Sequence, residues 1–181
     1  MMISLRKINT LLVVVIAAML LIHGLMSLLF LYGITAYSPD FKITGRRLFY
    51  PVAAHIIISL YLYFKDKSGT LKKYADLNSD TLRQMISGIF IIIFAALHIV
   101  GYSIGSVTDI DLYHFIVDTL LFASIAVHLN VSVPKFMISL GFLEAKDAHS
   151  NFKRKIKYAV MIIFIICVLA ELRYYIGGML W

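Results

Sequence analysis

Apolar residues along this chain occur in five long runs, which shorter polar segments separate. The runs cover about residues 10–34, 46–64, 81–104, 112–134 and 158–180. Each run can cross a bilayer as a helix, because roughly 20 residues rising 1.5 Å each span the ~30 Å hydrocarbon layer. The pattern predicts an all-α integral membrane protein: a five-transmembrane-helix bundle that forms one domain over residues 1–181.

Polar and turn-forming residues set the expected ends of these helices. Thr35–Thr44 is predicted as a turn, and the charged stretch Lys65–Asp80 as a loop. Ser79 or Asp80 is the expected N-cap of the third helix. A short interfacial helix is expected over Phe136–Lys146, before the fifth span.

The composition excludes an ordinary water-soluble domain. The chain is 61% hydrophobic and 15% charged, with a mean hydropathy of +0.87. No polar segment is longer than about 25 residues, so we expect the chemistry to occur in the membrane, at its surface or on a partner. Cys167 is the only cysteine, which excludes intramolecular disulfides and thiolate-ligated clusters.

The basic residues predict the orientation in the membrane. The N-terminus and the second and fourth loops hold 13 of the 17 Lys and Arg residues, whereas the first and third loops hold Lys42, Arg46 and Arg47. By the positive-inside rule the N-terminus is cytoplasmic and the C-terminus is external. The net charge of +7 is thus expected to set topology and to contact anionic lipid, and no nucleic acid is expected as a partner.

Four successive runs each carry a histidine well inside the apolar sequence: His23, His55, His98 and His128. An unpaired imidazole nitrogen in hydrocarbon costs a few kcal/mol, so each ring needs partners. A single histidine can hydrogen-bond a neighbouring helix, but four in four successive spans favour haem iron as the partner. Counting residues puts His23 and His55 near the midplane, His98 slightly outside it, and His128 about 10 Å toward the cytoplasm.

Small residues adjoin these histidines and would let either a macrocycle or a second helix approach closely. They are Gly24 beside His23, Ala53 and Ala54 before His55, Ala95 and Gly101 around His98, and Ser124 one turn from His128.

The arrangement resembles the two-haem cytochrome b membrane anchor of succinate:quinone oxidoreductases, the succinate dehydrogenases and fumarate reductases. Those anchors have five spans with one haem-ligating histidine in each of the first four. The resemblance covers nearly the whole chain and rests on topology and histidine placement. It implies two b haems, with His23 and His98 on the haem distal from the soluble subunits and His55 and His128 on the cytoplasmic-side haem.

The resemblance also implies a function. Electrons would pass between iron–sulfur and flavoprotein subunits on the cytoplasmic side and membrane quinone, in a bacterial or archaeal cytoplasmic membrane. The basic loops would dock the iron–sulfur subunit. The chain is shorter than is usual in the family, so the cytochrome b anchor of a formate dehydrogenase, hydrogenase or other reductase stays an alternative. A haem-free membrane scaffold or small transporter is the alternative from another class.

Further ionisable residues lie in the outer half of the spans. His114 and His128 are 14 residues apart on nearly one face, but no second helix repeats that pair, so His114 is interpreted as a residue of the outer boundary. Asp118, Glu171 and Arg173 have similar expected depths. They form either an ion pair of Arg173 with one carboxylate or part of a proton-transfer site for quinone.

The candidates for that quinone and proton site are His114, Asp118, Tyr102 and Tyr113. Arg46 and Arg47, at the outer end of the second span, are candidates for binding haem propionates, and the alternative is that they extend to the membrane surface.

Overall fold

Five long helices make up almost all of the described chain. The computed structural model describes residues 4–67, 75–104, 110–142 and 146–176. In chain order the helices are α1 (Leu5–Leu31), α2 (Asp40–Lys67), α3 (Ala75–Ile104), α4 (Ile110–Ser139) and α5 (Lys146–Glu171), which continues into a π-helical turn, Leu172–Ile176. No strand is present within those ranges. Each helix contains a segment long and apolar enough to span a membrane. The prediction of an all-α fold is confirmed, as is that of five helices long and apolar enough to span a membrane, and the orientation stays a prediction.

The ends of α1 and α4 follow from local backbone chemistry. Ser4 caps α1, because its side chain accepts the N–H of Lys7. Both helices end at a glycine with positive φ, Gly33 at 71° and Gly141 at 78°, a conformation in which a Cβ would be strained. The following N–H groups turn back to carbonyls of the last helical turn, as Phe142 does to Met137.

The helices are longer than the apolar runs, and several expected boundaries are wrong. α2 begins at Asp40, whose N–H is accepted by Ser38 Oγ, so the second half of the Thr35–Thr44 turn is helical. α3 begins at Ala75, so Ser79 and Asp80 lie inside it and neither is its N-cap. The reason is that hydropathy marks where hydrocarbon ends, whereas a helix continues into the interface as long as its backbone is hydrogen-bonded.

The predicted interfacial helix over Phe136–Lys146 is also wrong. α4 continues through Pro134 to Ser139, and Gly141 then reverses the chain. The remaining polar residues from Lys146 onward form the first turns of α5. The polar segment before the fifth span is thus divided between two long helices.

The chain forms two compact units. Unit 1 is Met1–Tyr74 and consists of the hairpin of α1 and α2, while unit 2 is Ala75–Trp181 and contains α3, α4 and α5. Within unit 2, α4 lies between α3 and α5 and contacts both. The buried side chains of α4 therefore include the apolar Val117 and Val131 and also the polar His114 and Asp118.

Candidate functional site

His23 donates a hydrogen bond between the two helices of unit 1. Its Nδ1 lies 3.3 Å from Oγ1 of Thr44, at the start of α2. The Thr44 hydroxyl itself donates to backbone carbonyls of its own helix, at 2.9 Å from Asp40 O and 3.0 Å from Phe41 O. Because that proton is already used, Thr44 accepts from His23, and the imidazole carries its proton on Nδ1.

His55 makes the reciprocal bond from α2 to α1. Its Nδ1 lies 2.9 Å from Oδ1 of Asn9, which also accepts from the Ser59 hydroxyl at 3.3 Å. An amide oxygen only accepts, so this imidazole also donates from Nδ1.

The same pattern occurs in unit 2. On α3, His98 Nδ1 lies 2.6 Å from Oδ1 of Asp118 on α4. On α4, His128 Nδ1 lies 3.2 Å from both the backbone carbonyl of Gln84 and Oγ of Ser87 on α3. Ser87 donates its own proton to the Gln84 carbonyl at 3.0 Å, so His128 is again the donor.

All four histidines are therefore held in the same tautomer. A neutral imidazole protonated on Nδ1 carries its lone pair on Nε2, the atom through which such a ring ligates iron. Donation of the other ring N–H to a carbonyl, hydroxyl or carboxylate is the usual second-sphere arrangement of metal-binding histidines.

Each unit holds its two histidines far apart along the helices. In unit 1, Asn9 and His23 are 14 residues apart on α1, about 21 Å by helical rise, and Thr44 and His55 are 11 residues apart on α2, about 16 Å. His55 therefore lies near the start of α1 and His23 near the start of α2. The expectation that both lie near the midplane is wrong, since it used the centres of apolar runs that are shorter than the helices.

Unit 2 repeats this separation. His98 follows Ser87 by 11 residues on α3, about 16 Å, and His128 follows Asp118 by 10 residues on α4, about 15 Å. The two imidazoles of this unit are thus also separated by about half of the ~30 Å hydrocarbon thickness.

A glycine accompanies one hydroxyl acceptor in each unit. A Cβ on Gly45, next to Thr44, would lie 3.2 Å from Cε1 of His23. A Cβ on Gly88, next to Ser87, would lie 3.8 Å from Cε1 of His128. In both α2 and α3 the sequence therefore contains a hydroxyl residue 11 residues before a histidine, followed directly by a glycine, a signal that the search for histidines alone missed.

A cluster of buried polar and aromatic side chains surrounds Asp118 in unit 2. Its Oδ2 accepts from the Tyr102 hydroxyl at 3.2 Å, and Tyr102 also hydrogen-bonds the hydroxyl of Tyr175 in the π-helical turn. The His114 ring stacks on Tyr102 at 4.2 Å between centroids. Glu171 is 2% exposed and its Oε2 has no hydrogen-bond partner among the described residues. π-Helical turns of this kind are frequent at functional sites.

The structure brings together the residues expected at the quinone and proton site. His114, Asp118 and Tyr102 belong to this cluster, and the Tyr113 ring lies 5.7 Å from that of His114 while its hydroxyl donates to Leu97 O. Tyr175 was not among the sequence candidates, since its position depends on the π-helical turn.

The charged candidates differ in exposure, since Asp118 is buried in the cluster whereas the three arginines are exposed. Asp118 accepts from His98 and Tyr102 through its two oxygens, and Arg173 is exposed in the π-helical turn that follows Glu171. Arg46 and Arg47 are exposed near the start of α2, at the same end of unit 1 as His23. Their binding to propionates stays a prediction.

Gly101, expected to make room near His98, instead faces Tyr113 and His114, and no described atom lies within 4 Å of a Cβ on Gly24. Among the described residues, no group of three or more His, Cys, Asp or Glu side chains is placed to hold a metal ion. Comparisons with protein-family models, with curated proteins and with solved structures gave no match for this chain.

Proposed function

We propose that this chain is a b-type cytochrome, the membrane subunit of an oxidoreductase of the succinate dehydrogenase and fumarate reductase type. It passes electrons between a cytoplasmic-side iron–sulfur and flavoprotein partner and membrane quinone. The observation that supports the proposal is the common tautomer of four histidines, one in each of the first four helices. Each donates Nδ1–H to the neighbouring helix of its own unit and carries its lone pair on Nε2.

The separation of the histidines supports two ligand depths. With the N-terminus in the cytoplasm, the Asn9–His55 pair of unit 1 lies toward the cytoplasm and the Thr44–His23 pair toward the outside. In unit 2, His128 lies toward the cytoplasm and His98 toward the outside. Each unit by itself therefore provides one histidine toward either side of the membrane, and these four side chains would hold the two haems.

Haem b, when bound, supplies one-electron transfer. The chain's own residues then have three tasks. His23, His55, His98 and His128 ligate the iron, and their hydrogen-bond acceptors fix the ring orientations. Arg46 and Arg47 bind propionates. The basic polar segments dock the soluble partner and contact anionic lipid.

The cluster around Asp118 supplies the protons of quinone chemistry in this proposal. Reducing a quinone takes two protons with two electrons, and a hydrogen-bonded carboxylate, phenol or imidazole beside the quinone oxygens can deliver them. His114 and Asp118 are buried and Tyr102 is half-buried beside them, and a stacked contact and a hydrogen bond connect the three side chains.

A haem-free scaffold is a second candidate, because the same four hydrogen bonds also join helices. Interhelical bonds of this kind contribute about 1 kcal/mol each in membranes, and a protein without a cofactor could use them for packing alone. The two candidates differ in haem content, which can be measured directly.

The test is pyridine haemochrome analysis of the purified protein, expressed with sufficient haem. We expect about two b haems per polypeptide, as the histidine count requires. Replacing any of the four ligating histidines by Ala removes or alters one of them. His149→Ala, in the polar segment before the fifth span, is the matched control and keeps the wild-type spectrum. A preparation without b-type absorbance refutes the cytochrome and favours the scaffold.

Copurifying subunits test the partner. A flavoprotein together with an iron–sulfur protein supports the proposed complex. If a subunit of a formate dehydrogenase, hydrogenase or other reductase copurifies instead, the chain is still a cytochrome b but its soluble partner is that reductase.

A further inference from the structure

The four histidines differ in what accepts their Nδ1–H. His98 donates to the carboxylate of Asp118 at 2.6 Å. The other three donate to neutral groups at longer distances, 2.9 Å for the Asn9 amide oxygen, 3.2 Å for the Gln84 carbonyl and Ser87 hydroxyl, and 3.3 Å for the Thr44 hydroxyl. Of these hydrogen bonds that of His98 is the shortest, and its acceptor is a carboxylate.

The surroundings of Asp118 keep this carboxylate in place and away from water. Its side chain is 4% exposed, and its second oxygen accepts from Tyr102 at 3.2 Å. The Tyr102 hydroxyl is in turn bonded to Tyr175. A charge so placed acts through a low dielectric, so its effect on a neighbouring group is much larger than at a protein surface.

A carboxylate bonded to Nδ1–H changes the donor strength of the ring. It draws the proton toward itself and returns electron density to the imidazole, which makes Nε2 a stronger ligand. A stronger donor and a nearby negative charge both favour the more positive, ferric state of a bound iron. A neutral amide or hydroxyl acceptor has a much smaller effect.

We propose that Asp118 acts through His98 as a positioning residue that lowers the midpoint potential of the haem ligated by His98. The inference rests on the proposed function and adds to it a residue that sets the midpoint potential of one haem.

The test is a redox titration, followed by absorbance, of the purified haem-loaded protein and two isosteric variants. Asp118→Asn keeps the shape and the acceptor oxygen but removes the charge, so one of the two midpoint potentials should rise while the other stays unchanged. Asn9→Asp places a carboxylate on His55, so the other midpoint potential should fall. Low-spin ferric EPR signals give a second readout, and only the signal of the altered haem should move.

The possible results separate the inference from the proposed function. Two b haems whose potentials are unaffected by Asp118→Asn overturn the inference and leave the cytochrome intact. If Asp118→Asn loses one haem, the Asn9→Asp variant decides between the two explanations. A lowered midpoint potential of the haem ligated by His55 supports the inference. An unchanged midpoint potential of that haem means that Asp118 only stabilises the packing. A wild-type protein without haem overturns the inference and the proposed function together.

Discussion

Replacing Gly101 by Ala should destabilise unit 2, because α3 and α4 approach closely at this position. A Cβ there would lie 2.6 Å from Cε1 of Tyr113 and 3.0 Å from Nε2 of His114. Favourable carbon–carbon contacts are about 3.5–4.0 Å, so the overlap is about 1 Å. Neither ring moves freely, since Tyr113 is bonded to Leu97 O and His114 is stacked on Tyr102.

Overpacking of this kind costs about 1–3 kcal/mol. The single cysteine provides the assay, because Cys167 is buried in unit 2 and its alkylation by a maleimide requires that unit to open. Since 1.4 kcal/mol is a tenfold change in an equilibrium, we expect Gly101→Ala to speed alkylation in mild detergent by about 5- to 150-fold.

Gly24→Ala is the matched control, a glycine-to-alanine change in α1 with no described atom within 4 Å of the new Cβ. It should leave the alkylation rate of Cys167 at the wild-type value. If Gly101→Ala also alkylates at that rate, the close approach of α3 and α4 is refuted, and with it the position of the cluster around Asp118.

Two further predictions follow from contacts within each unit. Gly45→Ala must displace the His23 ring by a few tenths of an ångström, which takes a 3.3 Å hydrogen bond beyond normal length, whereas Gly88→Ala makes an ordinary 3.8 Å contact. Haem absorbance should therefore change in Gly45→Ala and not in Gly88→Ala. If the two variants have the same spectrum, Gly45 is not needed to make room for the His23 ring. Lys153 Nζ lies 2.9 Å from Asp80 Oδ2, and both side chains are partly exposed at 43% and 23%. Lys153→Met should therefore lower the free energy of unfolding by about 0.2–1 kcal/mol, and high salt should remove this effect. Denaturation in detergent measures the loss, and a value above about 2 kcal/mol would contradict a weak, solvent-screened ion pair.

The five spans could be predicted from hydropathy because the bilayer imposes a simple rule. Every backbone group in hydrocarbon must be bonded within the chain, so a run of about 20 apolar residues is a helix. The rule does not locate helix ends in the polar interface. For that reason Ser79 and Asp80 were expected at the start of α3 and lie inside it, and α4 extends five residues beyond Pro134.

The histidines were also visible in the sequence, since imidazole is costly in hydrocarbon and stands out in apolar runs. Their partners were not. Asn9 and Thr44 are ordinary polar residues near helix starts, and Ser87 is an ordinary serine in the middle of α3. Only the packing of α1 against α2 and of α3 against α4 brings them to the imidazoles.

The sequence by itself determined that the chain is helical, that five helices are long and apolar enough to span a membrane and that histidines lie in the first four of them, because these properties depend on local composition and helix period. The tertiary structure decided the tautomer of each histidine, the separation of the two histidines in each unit and the bond of His98 to a carboxylate. Those features depend on which residues of two helices lie opposite one another, and that register is set by packing between segments distant in the chain.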